Sequence, residues 1–496
     1  MSYLRQIPLA LLLLTPCYAA QEAHNHPAPE KLGDVSFPVS CKPVVQPQFN
    51  RAVALLHSFA YAEAQAAFQD VAVRDPSCAM AHWGIAATYF HQLWEPAIPP
   101  ATLASAQKEI QEAQQHKPAS MREQGFIAAL ALVYQPAAQI PYRTRALNYQ
   151  HAMSQVASSN PADVEAQVFY ALALLASASP RDKTHANQKE AAALLEPIAR
   201  AYPHHPGIPH YLVHAYDNAE LAPRGLPAAK AYAQIAPSAP HALHMPSHIF
   251  TRLGLWDDSI TSNLASKQAA HQQGDLGEEL HAMDYLVYAY LQTGRDSQAA
   301  KIIEQVKTLS SLKTADFKIG YASTVMPIRV IVERNRWSEA AAIVPPTSAP
   351  PHVVAMAVWA RGLGLARSGS PSQAAEEILR LQQLEQQLLT SGDDYWAAQV
   401  NILRREIAAW SAEASHQPEA AIALMRSCAD DEDAIEKLPV TPGPILPARE
   451  QLGSLLLEQN QPAMALKEFQ IALANSPNRY GAVHGAERAA QLSSSK

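Results

Sequence analysis

The chain has 496 residues, of which 48% are hydrophobic and 17% are charged. This composition excludes a disordered chain, and the length predicts several domains or a long repeat array. The 38 prolines against only 18 glycines indicate many helices that begin or end at a proline, not a sheet-rich or nucleotide-loop protein. The net charge of −7, without a basic cluster, argues against nucleic acid as the main partner.

Residues 1–19 are interpreted as a secretory signal peptide, because Arg5 precedes a short apolar segment that ends in small residues. That segment is too short to span a membrane, and no later apolar run is long enough. We therefore expect a periplasmic or secreted protein after cleavage behind Ala19. Lipid anchoring through Cys17 is the alternative, although Thr15 and Pro16 depart from the small residues that usually precede a lipidated cysteine.

Residues 20–36 are polar and predict a flexible tail, after which residues 37–496 form the folded part. Cys41 precedes the first predicted helix, and Cys78 follows the first helical hairpin. Because a hairpin brings its two ends together, we expect these cysteines to form a disulfide in an oxidising compartment. Two buried free thiols are the alternative. Cys428 would then stay single.

Internal repeats determine the predicted fold. Ala64, Phe68 and Pro76 are spaced by four and eight residues, and Ala465 begins a triplet with the same spacing, which is the second-helix signature of a tetratricopeptide repeat (TPR). A turn residue also recurs five positions before a small residue, at Gly254, Gly294, Asn335, Gly369 and Asn460.

We therefore predict an all-α, TPR-like solenoid of about ten to twelve helical hairpins, wound into a right-handed superhelix. Its first helices should line a concave groove. Residues 439–447 (PVTPGPILP) are a proline-rich insert before the last hairpin.

Several strings resemble a family of exported bacterial TPR proteins: FPVSC from Phe37, CAMAHWGIA from Cys78, HYLVHAYD from His210, HALHMPSHIF from His241 and PVTPGP from Pro439. The resemblance covers nearly the whole mature chain and implies export and a repeat fold, but no activity. Where the family pattern has Lys-His before the insert, this chain has Lys437-Leu438, which weakens a histidine role at that point.

Two histidine pairs are the main functional signal. His210 and His214 are four residues apart, as are His244 and His248, so each pair shares one face of a helix. The pairs are offset by one repeat period, 34 residues, which should align them on neighbouring groove helices. We expect all four to bind one transition metal ion, namely zinc, copper or iron, provided that Pro246 lies in the first turn of its helix.

The repeat register adds further residues to the same groove. Asp284 and Tyr288 fall at the positions of His244 and His248 in the next unit, and His281 and Arg329 also face the groove. Asp284 is expected to be a metal ligand or to orient a ligand histidine. A polar groove without metal and purely structural histidines are the alternatives.

A second cluster, formed by His82, Trp83, His91 and Trp94, lies in the first repeats. Tryptophans at helical spacing more often belong to a core than to a ligand site, so core packing is the favoured interpretation.

The sequence contains no recognised catalytic motif, such as HExxH, GxSxG or GxxxxGK[ST]. The favoured function is an exported binding or scaffold protein that takes a peptide, a protein or a small ligand in a metal-containing groove. A metal-dependent periplasmic enzyme and a metal-free peptide-binding or protein-binding adaptor are the alternatives.

Overall fold

The computed structural model describes residues 30–93, 98–136, 140–309 and 312–494. Within these ranges the chain is helical and has no strand, which confirms the predicted all-α array of helical hairpins. None of the described helices combines the length and apolar character that crossing a membrane requires. From Lys31 onward the chain is one compact unit. The predicted signal peptide, residues 1–19, and residues 20–29 of the predicted tail lie outside the described residues.

In the first half of the chain, inner helices alternate with outer ones, and each packs on its neighbours in sequence. A 3-10 turn, Pro43–Val45, precedes the first helix. The helices are α1 (Gln46–His57), α2 (Tyr61–Arg74), α3 (Ala79–Ala87), α4 (Pro100–Gln115), α5 (Met121–Val133), α6 (Tyr142–Ser159), α7 (Val164–Ser177), α8 (Ala186–Ala201), α9 (Gly207–Tyr216) and α10 (Ala222–Ile235).

The second half continues the alternation, and its first inner helix is broken in two at Pro246. The helices are α11 (Pro240–His244), α12 (Pro246–Arg252), α13 (Trp256–Gln273), α14 (Leu276–Gln292), α15 (Asp296–Thr308), α16 (Phe317–Glu333), α17 (Trp337–Ala341), α18 (Pro351–Arg367), α19 (Pro371–Ser391), α20 (Asp394–Ala414), α21 (Pro418–Asp433), α22 (Ala448–Glu458), α23 (Pro462–Asn475) and α24 (Tyr480–Ser494).

The turn residues named from the sequence separate the two helices of their hairpins and adopt the left-handed conformation. Their φ angles are all positive, between 54° and 78°, at Gly254, Gly294, Asn335, Gly369 and Asn460. Glycine and asparagine tolerate this conformation best, because side chains branched at Cβ clash there. Position 254 requires glycine for a second reason: a Cβ atom there would lie 2.3 Å from the carbonyl oxygen of Pro477.

The inner helices of the first half close into a ring, which we call the first ring: α1, α3, α5, α7 and α9, with α9 packed back on α1. Phe37 fills the centre of this ring and is fully buried. Its side chain lies 5.1–6.3 Å, between ring centroids, from those of Phe49, Trp83, Phe126 and Phe169. The segment before α1 is therefore part of the core.

Residues 31–36, which we predicted to belong to the flexible tail, are held in place by backbone hydrogen bonds. The amide of Asp34 donates to the carbonyl of His204 at 2.9 Å, and the amide of Ser238 donates to the carbonyl of Lys31 at 3.2 Å. Leu32 is buried. The predicted tail therefore does not extend to residue 36. Residues 31–36 belong to the folded part, because they pack on the turns that follow α8 and α10.

Cys41 and Cys78 form a disulfide, as expected from the hairpin between them. The amide of Lys42, next to Cys41, donates to the buried carboxylate of Asp75 at 2.8 Å. These contacts tie the segment that carries Phe37 to the end of α2. Cys428 is the free, buried cysteine.

A second ring closes in the other half of the chain: α14, α16, α18, α20, α22 and α24. At the point of closure, α24 and the turn before it contact α13 and α14. The indole of Trp256 donates to the carbonyl of Asn478 at 2.9 Å, and the amide of Tyr480 donates to the side chain of Gln292 at 3.0 Å.

The proline-rich insert, residues 439–447, runs through the second ring. The hydroxyl of Tyr285 lies 3.2 Å from the carbonyl oxygens of both Pro439 and Thr441, and the guanidinium of Arg479 donates to the carbonyl of Ile445 at 3.2 Å. The predicted open concave groove is therefore corrected in this half, because the chain's own insert occupies it.

Candidate metal centre

Six buried histidines meet where the two rings join, on helices α9, α11, α12 and α14. Each of them is at most 8% exposed. Three have ligand atoms within 4.8 Å of one another and form what we call the α9 triad: His210, His214 and His241. The other three satisfy the same limit and form the α12 triad: His244, His248 and His281.

In the α9 triad, the Nε2 atoms converge on His210. The Nε2 atom of His210 lies 3.1 Å from that of His214, one turn further along α9, and 3.2 Å from that of His241 on α11. Phe59 covers this triad, with its ring centroid 4.4 Å from that of His210. The cluster is thus built by two helices and closed by an aromatic side chain.

In the α12 triad, the Nε2 atoms of His244 and His248 are 3.0 Å apart. Pro246 lies between them as the first residue of α12, where a proline needs no backbone donor, so the pair survives the break in the helix. His281 comes from α14, and its ring centroid is 4.3 Å from that of His244.

In four of these imidazoles, Nδ1 donates a hydrogen bond on the side of the ring that faces away from the other histidines. The acceptors are oxygen atoms, so each Nδ1 carries the proton and the lone pair is left on Nε2. The pairs are His210 with the carbonyl of His57 at 2.5 Å, His241 with Glu278 at 3.3 Å, His244 with the side-chain oxygen of Asn263 at 2.6 Å, and His248 with Asp217 at 2.9 Å.

The amide orientation of Asn263 is fixed independently, since its nitrogen donates to the carbonyl of Ser259 at 2.8 Å. The oxygen of Asn263 must therefore face His244. This arrangement resembles the outer hydrogen bonds that orient metal-binding histidines in general.

In two pairs both imidazoles are held through Nδ1, namely His210 with His241 and His244 with His248. Their Nε2 lone pairs face each other at 3.2 and 3.0 Å, a distance at which they repel unless a cation lies between them. A proton is a poor candidate. Burial, reinforced by neighbouring imidazoles, lowers the pKa of His210, His214 and His244 well below the ordinary value. Burial also lowers the pKa of His281 well below that value, and that of His248 to about 4. Neutral, converging imidazoles are the ligands that a transition metal requires.

Two carboxylates behind the imidazoles are themselves paired with cations. Asp217 accepts hydrogen bonds from Arg252 and Lys437 at 2.8 and 2.9 Å. Although burial opposes ionisation, these two cations hold the pKa of Asp217 well below its usual range. Glu278 pairs in the same way with Lys318, and its pKa is likewise held low against the effect of burial.

Asp284, which we predicted to lie in or beside the metal site, belongs to neither triad. Its carboxylate faces the guanidinium of Arg329 at 3.4 Å, on the side of α14 that lines the second ring. Tyr288 also lies there, with its hydroxyl 3.0 Å from Arg479. The predicted single site of four histidines is likewise corrected, because the four are divided between two triads.

The predicted cluster in the first repeats does not form one site. Trp83 packs in the core of the first ring, as favoured from the sequence. His82 contacts Glu109, with Nδ1 2.7 Å from the carboxylate, whereas His91 stacks on Tyr61 at 4.3 Å. Trp94 lies outside the described residues.

A further group, His57, Glu165 and His205, is closed by its own hydrogen bonds. Both nitrogens of His57 are engaged, by the hydroxyl of Tyr211 and by Glu165, each at 2.9 Å. Although burial raises the pKa of Glu165, the two histidines lower it to about 2. This group contacts the α9 triad but does not extend it: the carbonyl of His57 orients His210.

A cleft of about 130 Å³ leads from the surface to the α9 triad. It runs between the end of α7, the start of the insert and α9, and His214 and Asp217 lie on its wall. His214 is thus the histidine of the two triads that lines this cleft.

Sequence reasoning missed His241 as a candidate ligand. It also missed Glu278, Asn263 and Asp217, which accept hydrogen bonds from Nδ1 of His241, His244 and His248, respectively. His241 stands three residues before His244 in the string HALH, a spacing that also keeps two side chains on one helical face. Asp217 ends the string HYLVHAYD. No local signal marks the other two, which come from α13 and α14.

The sequence matches no protein-family model and no curated protein. Solved TPR structures are similar in fold at low identity. The TPR domain of P58(IPK) is 12% identical over 91% of this chain and 99% of that one, with a TM-score of 0.24. The human IFIT1 dimer with m7Gppp-AAAA is 12% identical over 84% and 90%, with a TM-score of 0.38. Yeast Tom70 is 9% identical over 90% and 88%, with a TM-score of 0.32. At these values nothing beyond the likeness itself is carried over to this chain.

Proposed function

We propose that this chain is an exported, TPR-like metal-binding protein that holds a transition metal ion between its two rings. One observation carries the proposal: in the α12 triad, the Nε2 atoms of His244 and His248 face each other at 3.0 Å. Asn263 and Asp217 accept the Nδ1 protons of these two imidazoles, so both Nε2 atoms bear lone pairs, and a bound cation would relieve the repulsion between them.

Two features support export. A disulfide joins Cys41 and Cys78, and such bonds persist mainly in oxidising compartments. The sequence also resembles exported bacterial repeat proteins in several strings, and residues 1–19 have the pattern of a signal peptide.

A metal-dependent enzyme is the second candidate, and the cleft beside His214 favours it. Three protein ligands leave a coordination position that a substrate or a water molecule can take, whereas a closed set of four serves structure. A peptide adaptor is less well supported, because the insert fills the second ring, where the predicted groove would be.

The test is elemental analysis of the native protein, purified from its own host without added metal. We expect a transition metal in the wild type and a lower metal content in His244→Ala/His248→Ala and in His210→Ala/His214→Ala. The matched control is His151→Ala/His416→Ala, which changes two exposed histidines and should keep the metal.

Melting curves give a second measurement. Adding metal at about 100 times its Kd to chelator-treated protein should stabilise it by about 2.7 kcal/mol through mass action. Wild-type protein that contains no transition metal and does not respond to one would overturn the proposal.

A further inference from the structure

The two triads lie side by side in one buried chamber. The ring centroids of His214 and His248 are 5.9 Å apart, and those of His241 and His244 are 6.0 Å apart. Each triad therefore presents two of its three imidazoles to the other. The chamber has six imidazoles, whereas a single ion rarely takes more than four such ligands in proteins.

The donor set is the same in both triads. All three ligands in each are imidazoles, and the nearest carboxylates, Asp217 and Glu278, stand behind a ligand histidine instead of beside it. Non-haem iron sites with open positions usually include a carboxylate ligand, which neither triad has, whereas three histidines with an open position can hold catalytic zinc or copper. Of these two, copper as the divalent ion binds nitrogen ligands more tightly than zinc.

Charge also restricts the ion. The two carboxylates behind the triads are already balanced by Arg252, Lys437 and Lys318. Little negative charge is left to offset bound cations in this buried place, so two monovalent ions are less costly there than two divalent ones. Among the metals that imidazole binds, copper is the one with a stable monovalent state.

We propose that the α9 triad and the α12 triad each bind one copper ion, so that the chain holds a copper pair. This inference rests on the proposed function and adds the number and the kind of the ions. In each triad three protein ligands leave a coordination position open, and one of the ligands of the α9 triad, His214, lines the cleft described above.

The experiment is a titration of the full, chelator-treated protein with copper(I), in competition with a coloured copper(I) chelator, and with zinc in a parallel series. We expect about two copper ions per chain in the wild type and about one in each triad variant. The triad variants are His210→Ala/His214→Ala and His244→Ala/His248→Ala. The control, His151→Ala/His416→Ala, should bind about two.

The outcomes separate the two proposals. Wild-type protein that binds one copper ion, or a folded single-triad variant that binds none, overturns the pair but leaves a metal-binding protein. Binding of zinc without copper overturns the copper assignment alone. Binding of neither metal overturns the proposed function as well.

A conservative variant, His281→Gln, covers the case in which a double alanine variant fails to fold. Circular dichroism checks its fold, and electron paramagnetic resonance of the oxidised protein is the readout. Two copper(II) ions in adjacent triads lie close enough for their electron spins to interact, which broadens the signal of each, so losing one of them should sharpen the signal of the other. An equally sharp signal per copper in the wild type and His281→Gln contradicts a pair.

Discussion

Both rings fill the space at their centre, the first with apolar side chains and the second with hydrogen-bonded backbone. A ring of inner helices leaves a space at its centre, and each ring fills it with an irregular segment of its own chain. In the first ring that segment brings Phe37 among four aromatic side chains. In the second ring the insert offers backbone carbonyls to Arg329, Arg479 and Tyr285.

The two fillings also differ in how tightly they pack. In the first ring a cavity of about 10 Å³ remains beside Phe59 and Trp83. Beside the insert in the second ring a cavity of about 160 Å³ remains, lined in part by Trp359, Trp396 and Arg449. Close packing of apolar side chains thus fills the centre of the first ring. In the second ring the insert is held by directional hydrogen bonds, and a larger cavity remains beside it. The two histidine triads lie between the two rings, on helices of both halves of the chain.

The largest effect should come from Arg479→Met in the second ring. Arg479 is 1% exposed and pairs with Glu333 and Glu450 while donating to the insert. Its loss leaves two buried carboxylates without their cation, which should lower the free energy of unfolding by about 4–5 kcal/mol. Denaturant titration measures this value. Arg488→Met, an exposed change on α24, the helix that begins directly after Arg479, should cost less than about 0.5 kcal/mol. Equal effects would refute the polar account of the second ring.

Phe37→Ala should weaken the first ring almost as much. It removes a fully buried aromatic side chain that the surrounding helices cannot replace, at a cost of about 3–4 kcal/mol in the free energy of unfolding. Thermal and denaturant unfolding measure it. Val44→Ala, at a nearby position that is 74% exposed, is the control and should have almost no effect. A loss below about 1 kcal/mol for Phe37→Ala would mean that the segment is only loosely attached.

Cys41→Ala/Cys78→Ala should cost about 3 kcal/mol, since the disulfide restricts a long loop in the unfolded chain. The same loss is expected when the wild type is reduced, and reductant should not affect the variant. Unfolding curves with and without reductant give both values. Wild type that is insensitive to reductant would show that the bond does not contribute to the stability of the first ring.

The smallest effect concerns pH and the second ring. Burial raises the pKa of Glu406 to about 8, although hydrogen bonds from Gln451 and Trp359 oppose the rise. The unfolded chain therefore releases a proton near pH 4.5 that the folded chain retains, so stability should fall by about 2 kcal/mol from pH 5 to pH 7. Glu406→Gln should flatten this slope in denaturant titrations, whereas the exposed change Glu419→Gln should keep it. An identical slope in both variants would argue against a neutral Glu406.

The local features of the fold could be predicted from the sequence. Turn residues such as Gly254 and Asn335 were found from spacing alone, since the left-handed conformation they adopt depends on their own chemistry. The HxxxH pairs were found in the same way, because a helix brings residues four apart to one face whatever surrounds it.

The grouping of the histidines could not be predicted. The repeat register made Asp284 equivalent to His244, yet Asp284 meets Arg329, and His281 on the same helix meets His244 instead. The repeat register gives the position of a residue within its repeat unit. It does not show that the inner helix of this unit is broken at Pro246 into α11 and α12, which therefore meet α14 differently from an unbroken helix. The direction of each side chain depends on this packing.

The sequence by itself determined the helices, their turns and the two histidine pairs, and it favoured the pairing of Cys41 with Cys78, because these depend on contacts within one hairpin or one helix. Only the tertiary structure decided that the rings close, that Phe37 and the insert fill them, and that six histidines form two triads. These contacts join residues far apart in the chain, such as Trp256 with Asn478 and His57 with His210. They depend on the angles at which successive hairpins stack, and small differences in packing at each hairpin add up along the array.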